Sequence, residues 1–303
     1  MRVMVQGTDT RIFVMGCSRG GTTVVQRRLA ERLNLYTLPE TRFFSNLLGN
    51  AEERLFPQTA RPRPPVRKFT SGVREKLGRS TGREHVHLEG ITLPRARKWT
   101  RVQQRTAQFV AGLDRAAVAG GHIGWLEKSP THTHYAADIH RLVPEAWMIH
   151  IIRDPRDTVA SIWDAAQRYG DPWGVIYDRI ERAVDKWNAA TRASAAMVGA
   201  RRQIFMSYQQ FTENPRTALD HIARTIGVPQ SPVSAARTRI ATPSEPWKAD
   251  ALAAPIHPAR SKWRSALTGA ERTAVEAQLC PQALAFLDNL TRQPLMEAPR
   301  HVA

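Results

Sequence analysis

The sequence predicts an α/β fold in three layers, a central parallel sheet flanked by helices. Short apolar runs at Ile12–Met15, Ile123–Leu126, Trp147–Ile152 and Gln203–Met206 read as buried strands. Stretches with helical spacing lie between them, and strand–helix alternation is the pattern of a parallel sheet. A glycine-rich turn joins the first strand directly to the first helix.

The chain has 303 residues and is 42% hydrophobic, enough for a sizeable core. We expect one domain over residues 1–303, with a core of about 11–290. Two cysteines, Cys17 and Cys280, give no disulfide framework and fit a reducing cytoplasm. The N-terminal segment lacks the apolar region of a signal peptide, and no stretch approaches the length of a membrane span. A net charge of +17 favours anionic partners: nucleic acid, an acidic membrane surface, a polyanionic substrate or a phosphorylated cofactor.

The first element pair frames the rest. After Ile12–Met15 comes Gly16-Cys17-Ser18-Arg19-Gly20-Gly21, then a helix over Thr22–Leu33 with apolar residues at Val24, Val25, Leu29 and Leu33. Strand, glycine turn and helix N-terminus form an anion cradle, because backbone N–H groups and the helix dipole converge there. The nucleotide-binding P-loop ends in Gly-Lys-Ser/Thr. Gly16, Gly21 and Thr23 fit its spacing, but Thr22 stands where the Lys should be, which makes a poor ATPase loop. An ordinary glycine turn is the alternative reading of the segment taken alone.

Arg19-Gly20-Gly21-Thr22-Thr23 resembles the 5′-phosphosulfate loop of sulfotransferases that use 3′-phosphoadenosine 5′-phosphosulfate (PAPS). Val24 departs from the Trp that many members carry next. The likeness is to the bacterial type, and it implies a P-loop-like sulfotransferase fold.

Residues 35–38 read as a short second strand, which puts Glu40 at its carboxyl end, where open α/β sheets collect ligands. Pro39-Glu40-Thr41-Arg42-Phe43-Phe44 is similar to the Glu-x-x-Phe-Phe element of carbohydrate sulfotransferases, and that likeness implies Glu40 as general base. A helix-starting Glu after Pro is the plainer reading.

Residues 54–105 are rich in Arg, Lys and Pro, with weak periodicity. They read as a loop-rich basic insertion, either a solvated face or a lid and substrate wall for an anionic acceptor. Helical spacing returns over Val102–Val118. The strand Ile123–Leu126 then delivers Glu127, Lys128, Ser129 and Pro130 to the same sheet edge. Lys128 matches the Lys of the family's Lys-Ser/Thr-Pro element, which implies contact with the transferred sulfuryl group. It also reads as a surface Lys before a helix start. His132 and His134 read as helix-face residues, not metal ligands.

After the strand Trp147–Ile152 stand Arg153-Asp154-Pro155-Arg156-Asp157, with Ser161 eight residues beyond Arg153. This resembles the family's 3′-phosphate motif and implies that Arg153 and Ser161 grip that phosphate. A guanidinium holds a phosphate through two parallel N–H bonds. The spacing next predicts one long helix over 174–198, a strand at Gln203–Met206, and a helix from Pro215 to Ile226 stopped by Gly227. Tyr208 matches a family Tyr and is either an adenine neighbour or a buried strand-end residue. Residues 229–258 are irregular and read as a substrate-shaping segment. Arg260 and Lys262 stand where relatives carry a basic loop over the cofactor, followed by an Ala-rich helix from Gly269 and a frayed tail after Leu290.

The resemblance therefore implies in-line sulfuryl transfer from PAPS to a hydroxyl acceptor, a carbohydrate, lipid or other alcohol. Its catalytic residues would be Glu40, Lys128 and Arg19. Cofactor binding would fall to Arg19, Gly20, Gly21, Thr22, Thr23, Arg153, Ser161, Tyr208 and Lys262. No metal is expected. The charge adds an anionic acceptor or a peripheral membrane contact, without specific nucleic-acid binding. Two other classes stay open: an ATP-dependent kinase using the same loop, and a basic nucleic-acid-binding protein.

Overall fold

Strand β1 (Thr10–Gly16) is buried along nearly its whole length, and its alternation sorts the core into two layers. Ile12 and Val14 face one side, Phe13 and Met15 the other. The computed structural model describes residues 10–49, 98–169, 173–228, 263–292 and 296–297, with Ile240 and Ser261 as single positions. Lys262, Arg260, residues 54–97 of the basic insertion and residues 241–258 lie outside the described residues.

From β1 the chain enters α1 (Thr22–Leu33), β2 (Leu35–Thr37) and α2 (Phe43–Leu48). It resumes with α3 (Lys98–Ala119) and β3 (Gly124–Lys128), then a 3₁₀ helix (Pro130–Tyr135) and α4 (Ala136–Leu142). Next come β4 (Trp147–Ile152), α5 (Pro155–Tyr169), α6 (Trp173–Ile176), α7 (Ile180–Ala195) and β5 (Gln203–Ser207). After these come α8 (Tyr208–Glu213), α9 (Pro215–Ile226), α10 (Trp263–Ala266), α11 (Gly269–Gln278), α12 (Pro281–Arg292) and β6 (Met296–Glu297).

The sheet runs β2-β3-β1-β4-β5-β6. Its first five strands are parallel and β6 pairs antiparallel to β5. Helices α1 and α9 cover one face through Val25, Leu29, Leu219 and Ile222. On the other, Phe109 and Leu113 of α3 and Trp187 of α7 pack on Phe13 and Phe205. The expected three-layer architecture is therefore present. Burying a Phe such as Phe13 contributes roughly 2–3 kcal/mol.

Several local expectations need correction. The last part of the basic insertion, from Lys98 to Arg105, is helical, because Val102 and Thr106 turn inward while Arg101 and Arg105 stay outside. Strand β3 continues through Glu127 and Lys128, which are ladder residues paired with Phe13 and Val14. The single helix over 174–198 is broken at 177–179. Tyr177 turns into the core, where Lys186 donates to its hydroxyl, and Arg179 is extended (φ −137°, ψ 141°) at the start of α7. Gln210 completes a capping box with Ser207, so a helix starts at Tyr208 directly after β5. Beyond Leu290 the chain adds β6 to the sheet edge.

A buried polar link ties β4 to α7. His150 is fully buried, with Nδ1 3.0 Å from Ser194 Oγ and Nε2 2.9 Å from Gln203 Oε1. The amide oxygen can only accept, so Nε2 carries the proton. Burial pulls the imidazole pKa from 6.5 to about 4, against the opposing pull of Gln203. The unfolded chain therefore takes up this proton first as pH falls. The contribution is complete above about pH 6.5 and declines until pH 4, on the order of 3 kcal/mol in all. Urea unfolding at pH 7 and 4.5 should show this slope in the native chain and a clearly smaller one in His150→Gln. An equal slope in both would clear His150 of the effect.

Candidate active site

The turn after β1 is shaped by residues that only its backbone conformation explains. Arg19 sits at φ 65° and Gly21 at φ 89°, both left-handed. Gly20 N–H closes the turn on the Cys17 carbonyl at 3.0 Å. At Gly21 a Cβ would stand 2.2 Å from Cε2 of Tyr208, so the ring of Tyr208 lies directly on the turn. Gly21 is also the N-cap of α1 and has no side chain to cap it. The first N–H groups of α1, at Thr22 and Thr23, are thus left for a ligand, with the helix dipole behind them.

Two arginines meet at this turn. Arg19 Nε donates to Ser161 Oγ of α5 at 3.0 Å. Arg153, just beyond β4, donates through Nη1 to the Arg19 carbonyl at 3.4 Å. The Arg153 guanidinium lies 5.1 Å from the Tyr208 ring centroid and 3.8 Å from Asp157 Oδ2. Its carbonyl accepts from Trp187 Nε1 at 2.9 Å. Arg153 Nε is buried and has no hydrogen-bond partner among the described residues. Burial pulls the Arg19 pKa below its ordinary value and Arg153 adds to that, while Tyr169 and Asp164 oppose it. A guanidinium keeps its proton even so. Two crowded cations with unused donors create strong local demand for an anion.

Helix α5 is built to hold this pair. Pro155 opens it, and Asp154 Oδ1 accepts the N–H groups of Arg156 (2.8 Å) and Asp157 (3.3 Å). Asp157 in turn accepts Trp263 N–H at 3.3 Å. The chain after Lys262 therefore re-enters the fold beside Arg153.

The second half of the site lies one strand over, between β1 and β2. Lys128 is fully buried and donates to Thr23 Oγ1 at 3.1 Å and to Glu40 Oε1 at 2.5 Å. Glu40 keeps 12% side-chain exposure, and its Oε2 is 3.9 Å from Arg42 Nε. One ammonium thus links the anion turn to a carboxylate that solvent can reach. Arg42 is over half exposed.

Behind Glu40 lies a buried carboxylate absent from the expected set. Glu127 Oε1 accepts the hydroxyls of Ser129 (2.7 Å) and Thr41 (2.8 Å), and Oε2 is 2.9 Å from His132 Nδ1. Burial alone would raise this carboxyl. His132, Ser129 and Thr41 outweigh it and hold the group below the usual carboxylate range. His132, on the 3₁₀ helix, is fully buried.

The structure therefore gathers Arg19, Gly20, Gly21, Thr22, Thr23, Arg153, Ser161 and Tyr208 around one turn, with Lys128 and Glu40 alongside. Lys262 lies outside the described residues. Asp157, read as part of the Arg153 motif, lies 3.8 Å from the Arg153 guanidinium, while sequence reading gave no role to Glu127 or Trp187. Glu127 carried one usable sign, a charged residue at a position where strand alternation demands burial. Trp187 carried none, being one apolar residue in a packing stripe. Among the described residues no cluster of His, Cys, Asp and Glu could hold a metal, and no helix is long and apolar enough to cross a membrane.

The turn, its two arginines and the Lys128–Glu40 pair thus put an anion cradle beside a carboxylate. The model of the sulfotransferase family matches residues 11–232, well over half of the chain, and the protein belongs to that family. No curated protein matches significantly. Among solved structures, the sulfotransferase domain of the Synechococcus PCC 7002 olefin synthase is 19% identical, with 94% of this chain and 95% of that one covered and a TM-score of 0.52. The sulfotransferase STF9 from Mycobacterium avium is 16% identical, with 96% and 78% covered and a TM-score of 0.45. The first of these shares the fold.

Gly21→Ala should lose on the order of 2 kcal/mol from the left-handed backbone alone, with the overlap on Tyr208 in addition. Thermal unfolding of Gly21→Ala and of Gly21→Ala/Tyr208→Ala checks this. The double variant should regain the overlap part, and no regain would contradict the packing of Tyr208 on the turn.

Proposed function

We propose that the chain moves a sulfuryl group from PAPS to the hydroxyl of an acceptor alcohol, with Glu40 as general base. The observation that carries this reading is the Lys128 bridge between Thr23 of the anion turn and the Glu40 carboxylate. It brings a proton acceptor and an anion cradle into contact. A base can act only within hydrogen-bond reach of the proton it takes.

The donor set fits the nucleotide. The orphaned, buried Nε of Arg153 and the Arg19–Ser161 contact suit a bis-phosphorylated ligand better than a single anion. In this reading Arg153 and Ser161 hold the 3′-phosphate, and Tyr208 lies beside the adenosine. Arg19, Gly20, Gly21, Thr22 and Thr23 hold the 5′ end, and Lys262 joins them as a cofactor contact. When bound, PAPS supplies a sulfuryl group whose bond to the 5′-phosphate breaks as the acceptor oxygen bonds to sulfur.

Glu40 takes the proton from that acceptor oxygen. Once protonated it no longer neutralises Lys128, whose charge is then free to act on developing negative charge at the turn. The N–H groups of α1 and the Arg19 guanidinium act the same way, as donors fixed before reaction. The exposed Arg42 beside Glu40, together with the net charge of +17, supports an alcohol that also carries a negative charge. A peripheral membrane contact would draw on the same surface charge.

Glu40→Gln tests this reading. The amide can still accept from Lys128, so folding and nucleotide binding should persist. Turnover should fall by roughly 100- to 10,000-fold, the usual worth of a positioned base. Unchanged turnover, read as 3′,5′-adenosine bisphosphate released from PAPS, would remove Glu40 from the mechanism.

A further inference from the structure

The last two residues of β3 face opposite layers. Lys128, paired with Val14, turns toward α1 and meets Thr23 and Glu40. Glu127, paired with Phe13, turns into the other layer and is fully buried. The chain leaving β2 is held by both. Lys128 takes the side chain of Glu40, and the Glu127 cluster takes the backbone that follows it.

That second grip is extensive. Glu127 Oε1 accepts the Thr41 N–H at 3.3 Å as well as the Thr41 hydroxyl. Ser129, which donates to Glu127, accepts the Arg42 N–H at 2.9 Å. His132 Nε2 accepts the Phe44 N–H at 3.3 Å. Since Nε2 accepts, Nδ1 carries a ring proton, and it lies 2.9 Å from Glu127 Oε2. One buried carboxylate thus fixes, directly or through one neighbour, the N–H groups of residues 41, 42 and 44.

The backbone there needs fixing. Arg42 is a non-glycine residue at φ 49°, a conformation that persists only where surrounding contacts over-determine it. Phe44 adds packing, with edge-to-face contacts to Phe13 and His132 at 5.9 and 5.1 Å. A buried carboxylate is an expensive way to hold a loop, and a hydroxyl would suffice for packing. What the charge adds is several strong, directed acceptors at one point.

We infer that Glu127 is a positioning residue for Glu40, setting the backbone of residues 41–44 and with it the direction of the Glu40 carboxylate. This rests on the role of Glu40 proposed above. Misplacing a reacting group by about 1 Å costs roughly 100-fold in rate.

The test uses Glu127→Gln in the full chain, with PAPS as donor, water as acceptor and bisphosphate release as the signal. Turnover should drop roughly 10- to 100-fold. The dissociation constant for 3′,5′-adenosine bisphosphate should change less than about twofold, since Arg19, Arg153 and Lys128 are untouched. Amide exchange should quicken at Thr41, Arg42 and Phe44 and stay unchanged at Gly20–Val24. Glu40→Gln/Glu127→Gln should be no slower than Glu40→Gln, because a positioning residue has nothing left to position. If Glu127→Gln fails to fold, Thr41→Val removes the two bonds of the Thr41 hydroxyl, to Glu127 and from the Phe43 N–H, without stranding a charge, and should show the same pattern more weakly. Native rates and native exchange in Glu127→Gln, or in Thr41→Val where the first does not fold, overturn the inference while leaving Glu40 as base. A native rate in Glu40→Gln would instead sink the base itself and this inference with it.

Discussion

The contact on which the site depends is the buried ammonium of Lys128. It sits at the end of β3 with no exposure and reaches two separate segments, Thr23 on α1 and Glu40 beyond β2. An unpaired charge at that depth would cost several kcal/mol. The folded chain must therefore bring Glu40 to it, and the anion turn and the carboxylate cannot drift apart independently. The arrangement follows from strand alternation. Because Leu126 packs against α1, Lys128 points the same way, and Glu127 is sent to the opposite layer.

Arg19 and Arg153 impose a second constraint. Like charges repel, yet here one guanidinium donates to the other residue's carbonyl, and Ser161 and Asp157 anchor both to α5. The helix is capped by Asp154 and tied to the C-terminal helices through Arg156, which pairs with Glu276 at 2.6 Å, and through Trp163, which donates to Glu271 at 2.8 Å. Crowding two cations without a full set of acceptors leaves local electrostatic energy that a bound polyanion relieves. The sheet places this pair at the carboxyl ends of β1 and β4, beside the point where strand order reverses.

Much of this was legible in the sequence. Apolar runs gave β1, β4 and β5 because those strands are buried on both faces, and α1 and α9 showed their limits through Gly21 and Gly227. The turn and the Arg153 motif were readable because close backbone approach and phosphate binding demand particular residue types at fixed spacing. What stayed hidden depended on partners far along the chain. Tyr177 breaks a helix whose stripe continues past it, because its partner Lys186 lies in the next helix. Glu127 looks like any acid before a Lys until Thr41, Ser129 and His132 fold around it. Gln210 completes the cap of α8, which depends on Ser207 standing at the end of β5.

The measurement closest to the central claim is calorimetric titration with 3′,5′-adenosine bisphosphate, set against ADP and ATP with and without magnesium, in the native chain and in Arg153→Ala. Tight, metal-independent binding of the bisphosphate, preferred over both other nucleotides and lost most strongly in Arg153→Ala, is the expected result. Preference for ATP with magnesium, or equal affinity for all three, would contradict the account and return the loop to phosphoryl transfer or to unselective anion binding.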